Sequence, residues 1–334
     1  MTHSDKEKIE KLRYTYDLNY RVTRLYSTYL ERFPDFLNKE IIDELCEGGK
    51  ISEKDAIVAL LTVGFGLDGE KNYEDKKLIR DYITPSVRIF DVKRYTENPY
   101  YKNIKIENVK DGSWELKKEY YPAYRATIAG DILIRDDFSE VPPLGYFTED
   151  FSFPAVLEDG NEWMTLTPID LDTSDEAINK AKGKVITFGL GLGYYTYMVS
   201  LKDEVESVTV IEKSENVIRL FEKYILPQFK NKEKVKIIHE DAFKYAKGAM
   251  ADKKYDFAFV DIWRDASDGA PLYLKMRSLE HLFPNTEFSY WIENFLISRV
   301  RSQVFETLYE MIENNDPDAP KTYEEFISKL CNVG

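Results

Sequence analysis

The chain of 334 residues is poor in the residue types that build covalent or metal-held frameworks. Two cysteines, Cys46 and Cys331, are too few for a disulfide scaffold or a thiolate zinc cluster. Three histidines, His3, His239 and His281, lie far apart in the chain, so no histidine-based metal site is expected. Positive charge is short as well: 46 Lys and Arg stand against 60 Asp and Glu, a formal net charge of −14. That balance disfavours nucleic acid, because affinity for a phosphate backbone comes from Lys and Arg. No apolar run reaches the roughly 18 residues of a membrane span. The opening MTHSDKEKIEKL has no apolar core of a secretory signal. These absences predict a cytoplasmic protein whose partner is a small molecule, with neither membrane nor nucleic acid involved.

What is present suits a folded enzyme-sized chain. A hydrophobic fraction of 43% over this length can fill at least one full core and most naturally two. Residues 1–85 read as helical: in IEKLRYTYDLNYRVTRLYSTYL apolar residues recur at three- and four-residue spacing. Ser52 and Asp55 resemble a capping box opening SEKDAIVALLTV. This aromatic-rich region is the expected surface for any homo-oligomer. Over 86–172 the texture changes to short alternating runs. WELKKEYYPAYRATIAGDILIR and FSFPAVLEDGNEWMTLTP read as hairpins, the second turning at Asp159-Gly160. Over 173–316 strands alternate with helices: KVITF, SVTVIE, KVKIIH, YDFAFVD and EFSYWIE each precede a helical or loop segment. That order predicts an α/β fold with a Rossmann-like, doubly wound, mostly parallel sheet. With only one helix and a tail (317–334, holding Pro317 and Pro320) after the last strand, the sheet is expected to be shortened at its C-terminal edge.

Two stretches compete for the role of a nucleotide-binding turn. VGFGLDGE at 63–70 fits G-x-G-x-x-G through Gly64, Gly66 and Gly69, yet it follows a helix. A phosphate- or nucleotide-binding turn needs a strand before it and a helix after it, so that backbone N–H groups and a helix N-terminus meet the ligand. Gly64 and Gly66 are therefore read as a helix C-cap. TFGLGLGYY at 187–195 has the required context, with KVITF before it and YYTYMVSL after it. Glu212 ends the next strand, Asp241 follows the third, and Asp261 follows the fourth. Ligands of such sheets bind outside the carboxyl ends of the strands, where all three acids stand.

This constellation resembles the class I S-adenosylmethionine-dependent methyltransferases, whose turn reads G-x-G-x-G, as in Gly189-Leu190-Gly191-Leu192-Gly193. The resemblance covers about residues 184–292. It implies S-adenosyl-L-methionine as cofactor, held by Gly189, Leu190, Gly191 and Gly193. Glu212 would bind the ribose, with Lys213 beside it, and Asp241 would meet the adenine amine, with Ala242 beside it. Asp261 would lie between the methionine moiety and the acceptor and serve as the catalytic base where one is needed. Within that superfamily the layout is closest to the spermidine-synthase-like branch, in which a hairpin domain precedes the nucleotide domain. Its motif D-S-S-D-P-x-G-P-A-E-x-L-[FY] aligns without a gap on DIWRDASDGAPLY, from Asp261 to Tyr273. By analogy Trp263, Tyr273 and Thr165 would wall the acceptor pocket, with Trp163 near Thr165. Two positions depart from the branch. Its turn is G-G-G-D-G, and the aspartate falls on Leu192; the second aspartate of D-S-S-D falls on Arg264, a cation. These departures favour a methyltransferase acting on a small molecule. The alternatives are aminopropyl transfer from decarboxylated S-adenosylmethionine and a non-catalytic nucleotide-binding scaffold.

Overall fold

In the computed structural model, which describes residues 1–251 and 253–332, the chain divides into two compact units. Neither is continuous in sequence. The first takes Met1–Phe90, Pro122–Thr148 and the chain from Asn294 onward; the second takes Asp91–Tyr121 and Glu149–Glu293.

The first unit is built on the long helix His3–Arg32, started by a capping box between Thr2 and Asp5. The apolar spacing read from the sequence becomes two buried patches on this helix. Leu18, Val22, Tyr26 and Tyr29 pack with Ile57, Leu61, Leu78 and Ile83. Ile9, Leu12 and Tyr16 pack with Phe305, Phe326 and Leu330, and Tyr16 stacks on Phe305 at 4.1 Å. Phe326 and Leu330 belong to a helix, Tyr323–Cys331, where only a tail was expected. Thr322 caps that helix through the Glu325 N–H, a local signal that the prolines before it obscured. Among the described residues no helix is long and apolar enough to cross a membrane.

The second unit carries two sheets. Numbering its own elements in order, the smaller sheet is antiparallel, β1 (Val109–Asp111), β2 (Trp114–Tyr121), β3 (Phe151–Glu158) and β4 (Asn161–Thr165), in that spatial order. The β3–β4 hairpin turns at Asp159 and Gly160 as expected, both with positive φ (51° and 79°). The other expected hairpin, within residues 114–135, does not form. β2 pairs with β1 and, over eight residues, with β3, while Thr127–Ile128 joins a strand of the first unit. Alternation is the same whichever partner a strand has, so the pattern could identify β2 but not its neighbour.

The larger sheet is all parallel: β5 (Gly183–Phe188), β6 (Val205–Glu212), β7 (Val235–His239), β8 (Phe257–Val260) and β9 (Glu287–Tyr290), in the order β7-β6-β5-β8-β9. It is the expected Rossmann-like, doubly wound α/β fold, and it ends at β9 with no antiparallel hairpin among the described residues. The last four residues of β5 and all four of β8 are buried, because central parallel strands have both faces covered. Around the sheet run α1 (Val92–Thr96), α2 (Pro99–Asn103), α3 (Pro168–Lys180), α4 (Tyr194–Ser200), α5 (Glu215–Leu220), α6 (Ala242–Lys247) and α7 (Ala266–Arg277). The order reverses at β5, which lies between β6 and β8. The crevice of such a sheet opens at the carboxyl ends of those strands.

Candidate active site

β5 ends at Phe188, and the chain turns through Gly189, Gly191 and Gly193 with φ of 99°, 50° and 74° into α4. Space as well as angle selects glycine at the first position. A Cβ on Gly189 would stand 1.9 Å from the carbonyl oxygen of Asp261, at the end of the adjacent strand. The ladder continues across the turn: Gly189 N–H donates to Ile211 O (2.9 Å), and Asp261 N–H donates to Phe188 O (2.8 Å). The glycine turn and the acid ending β8 are thus held against each other.

Glu212 ties the turn to the next strand. Its Oε2 accepts from Leu190 N–H (3.0 Å) and its Oε1 from Ser214 N–H (2.7 Å). The carboxylate is held in place at the carboxyl end of β6 and remains half-buried. Lys213, next in the chain, is exposed. Asp241 stands at the carboxyl end of β7 and is also the N-cap of α6, with Oδ1 accepting from Phe243 N–H (3.0 Å) and Lys244 N–H (3.1 Å). Ala242 beside it is buried.

A small cleft lies against the turn. Gly189, Leu190 and Thr187 line it from the strand, Tyr194, Tyr195 and Thr196 from α4, and Asp261 and Trp291 from the ends of β8 and β9. Two further polar residues enter from α3, Asp170 and Ser174. Of the two acids lining the cleft, Asp261 is raised the more. Burial, then the nearby charges of Asp170 and Glu212, push its carboxyl up to about 8. Burial also raises Asp170, to about 6, against the pull of the bonds from Thr167. Carboxylates gathered in a low-dielectric cleft make it a place where positive charge is stabilised.

Asp170 was missed in the sequence, although its signal was there. Thr167-Pro168-Ile169-Asp170 has the same capping-box pattern read at Ser52, with proline at the first helical position. What the pattern does not reveal is that this first turn opens onto the glycine turn. Tyr195 was passed over as helix. Its ring stacks on Phe259 (4.2 Å, 23°), and its hydroxyl is buried with no hydrogen-bond partner among the described residues.

The residues expected to wall an acceptor pocket are placed differently. Tyr273 is fully buried, its hydroxyl donating to Glu293 (2.9 Å) and its ring edge-on to Tyr290 (4.9 Å). Trp263 is buried and stacks on Tyr290 at 6.4 Å. Thr165 ends β4, one residue from Met164, and it is Met164 that lines the cleft. Trp163 is exposed and edge-on to Trp114. Leu192 and Arg264 are the two positions that depart from the spermidine-synthase-like motif. Leu192 is completely buried, its carbonyl accepting from the Tyr100 hydroxyl (2.6 Å) and its N–H lying 3.3 Å from Met164 Sδ. Arg264 is exposed on the loop before α7. Neither lines the cleft.

No curated protein sequence matches the chain. Among solved structures the chain is similar to spermidine synthase from Thermotoga maritima, at 14% identity and a TM-score of 0.31, covering 60% of this chain and 64% of that one. It is also similar to a spermidine synthase in complex with the transition state analogue AdoDATO, at 16% identity and a TM-score of 0.27, covering 48% of each chain. The chain thus spans about half to two thirds of the length of these enzymes. Residues 176–281, from α3 through the strands β5–β8 to the end of α7, match the spermine/spermidine synthase domain. That match corrects the expected methyltransferase activity. The expectation rested on Leu192 and Arg264 facing a ligand, and both positions lie outside the lining of the cleft.

Proposed function

We propose that the chain is a transferase that moves an aminopropyl group from decarboxylated S-adenosylmethionine to an amine. The carrying observation is the half-buried acid pair Asp170 and Asp261 in the cleft beside the glycine turn, with Glu212 close enough to disturb Asp261. S-adenosylmethionine carries a sulfonium, an ammonium and a carboxylate, whereas the decarboxylated form keeps the two cations alone. A cleft in which burial and the charges of Asp170 and Glu212 already push the Asp261 carboxyl up gains more from the dication and gains nothing from a ligand carboxylate. The match of residues 176–281 to the spermine/spermidine synthase domain supports the same reading.

The roles follow from position. Glu212, fixed by two backbone N–H groups, would take the ribose hydroxyls, and Asp241 the adenine amine. In aminopropyl transfer the amine nitrogen attacks the carbon next to sulfur, the carbon–sulfur bond breaks, and its electron pair stays on sulfur. An amine arriving as ammonium must first lose a proton. Asp261, whose carboxyl is pushed up to about 8 in the cleft, would take that proton once the bound sulfonium favours its ionised form. In-line positioning with water excluded supplies the rest.

The test is direct. Incubation with decarboxylated S-adenosylmethionine and a panel of mono- and diamines should release 5′-methylthioadenosine, detected by chromatography. Asp261→Asn should lower kcat about 100-fold or more, in the range of general-base catalysis. Failure of every amine to give the thioether product, or tighter calorimetric binding of the carboxylated cofactor, would sink the proposal.

A further inference from the structure

The cleft contains two groups that the reaction as described leaves without work, Asp170 and the Tyr195 hydroxyl. Asp170 belongs to the first turn of α3, where its Oδ2 accepts from the backbone N–H (2.7 Å) and hydroxyl (2.9 Å) of Thr167. Capping explains those bonds. It does not require the carboxyl to lie in the wall of a cleft next to a second acid, where each charge costs the other. Tyr195 is 7% exposed, lines the same cleft, and its hydroxyl has no partner among the described residues. A buried hydroxyl left unpaired is unfavourable, and in an enzyme cleft it points to a missing ligand atom.

The glycine turn itself offers no side-chain acceptor for a cation. Its Leu192 side chain is buried, the Leu192 N–H lies against the thioether of Met164, and the Leu190 N–H is taken by Glu212. Ser174, the other polar side chain from α3, donates its hydroxyl to Asp170 O (2.7 Å). A primary ammonium has three donors and no acceptor, so it needs acceptor oxygens around it. Among the acceptor oxygens that line the cleft, a carboxylate oxygen of Asp170 supplies charge and the hydroxyl oxygen of Tyr195 is without a partner among the described residues, so these two are suited to that.

We infer that Asp170 and Tyr195 form the seat of the donor's primary ammonium, so that the helix beside the glycine turn recognises the decarboxylated cofactor. The inference rests on the aminopropyl-transfer reading. Asp170 and Tyr195 then act as specificity residues for the donor, while Asp261 stays with the incoming amine.

The experiment compares two ligands that differ by the group in question. Decarboxylated S-adenosylmethionine carries the aminopropyl ammonium, and 5′-methylthioadenosine shares its adenosine and sulfur without it. Asp170→Asn keeps an oxygen for the Thr167 cap, and Tyr195→Phe keeps the ring stacked on Phe259. By calorimetry, Asp170→Asn should weaken decarboxylated S-adenosylmethionine by about tenfold or more, as expected for a charge-assisted bond. Tyr195→Phe should weaken it by roughly three- to tenfold. Both variants should bind 5′-methylthioadenosine within about twofold of the wild type. Equal losses for the two ligands would make Asp170 a cap alone and overturn the inference, as would unchanged binding in both variants. Failure of the underlying reading looks different, because wild-type protein would then show no preference for the decarboxylated cofactor.

Discussion

In VGFGLDGE the glycine with a positive φ, Gly66, follows a helix, whereas the three glycines of TFGLGLGYY follow a strand. Gly66 closes the helix Glu53–Gly64 in a Schellman arrangement: Leu67 N–H donates to Thr62 O (3.0 Å) and Gly66 N–H to Val63 O (2.9 Å). Around it a Cβ would meet nothing within 4 Å. Gly64, expected to share this role, is the last helical residue and lies under the ring of Phe36. At Gly189 the angle is equally left-handed, but a Cβ would collide with backbone. In one stretch the left-handed glycine therefore serves conformation alone. The other uses it for conformation and for close approach, which is what a backbone-lined ligand site requires. Letter spacing does not distinguish the two; what precedes and packs against the turn does.

The sharpest way to break this comparison is Gly189→Ala. The obstacle is a main-chain carbonyl fixed in a parallel ladder, so strain and overpacking should together cost about 2–5 kcal/mol in denaturant unfolding. A loss below about 1 kcal/mol would show that the edge yields and that close approach does not select glycine there.

Asp261→Asn tests the electrostatics of the same edge. A carboxyl whose folded pKa is raised stabilises the fold fully only below its unfolded value, and that contribution is lost as pH rises through the folded one. For Asp261 the window runs from about pH 4 to about pH 8. Asparagine removes the ionisation, so the variant should gain on wild type between pH 5 and pH 9, by about 1–3 kcal/mol after relaxation. Thermal melts at the two pH values check it, at about 2–4 °C per kcal/mol. A gain at pH 5 that vanishes at pH 9 would reverse the sign and exclude a strained carboxylate.

Gly191→Ala should be milder than Gly189→Ala, because the atom in its way is Met164 Sδ, on a flexible side chain. About 1–2 kcal/mol is expected from the left-handed φ. Adding Met164→Ala should relieve the clash, leaving the double variant less destabilised than the sum by roughly 0.5–1 kcal/mol. Strict additivity in urea unfolding would mean that the thioether moves freely. Gly66→Ala is the smallest effect, about 1 kcal/mol of stability with ligand affinity untouched. A measurable loss of affinity in that variant would bring the helical unit into ligand binding.

Much of the second unit was legible because its signals are local. Apolar runs such as KVITF and YDFAFVD mark buried parallel strands, and an acid at the end of each run falls at the same edge of the sheet. Glu212 could be named for that reason. Its bonds to Leu190 and Ser214 follow from the sheet order once β5 and β6 are neighbours. Asp170 and Tyr195 were not legible in the same way. A capping acid and a helical tyrosine look alike whether they face solvent or a cleft, and only the packing of α3 and α4 around the turn decides which. For Trp263 and Tyr273 motif alignment puts them near a ligand, while the structure packs both against Tyr290.

The sequence alone determined the parallel sheet, the glycine turn between strand and helix and the acids that stand at the sheet's rim, since period, strand length and glycine placement are properties of a few neighbouring residues. Tertiary structure decided which strand pairs with β2, how the chain divides into two units, and that Leu192 and Arg264 lie outside the cleft lining while Asp170 and Tyr195 line it. Those outcomes depend on contacts between segments far apart in the chain. Burial in such contacts changes the energy of a charge or hydroxyl far more than its sequence neighbours do.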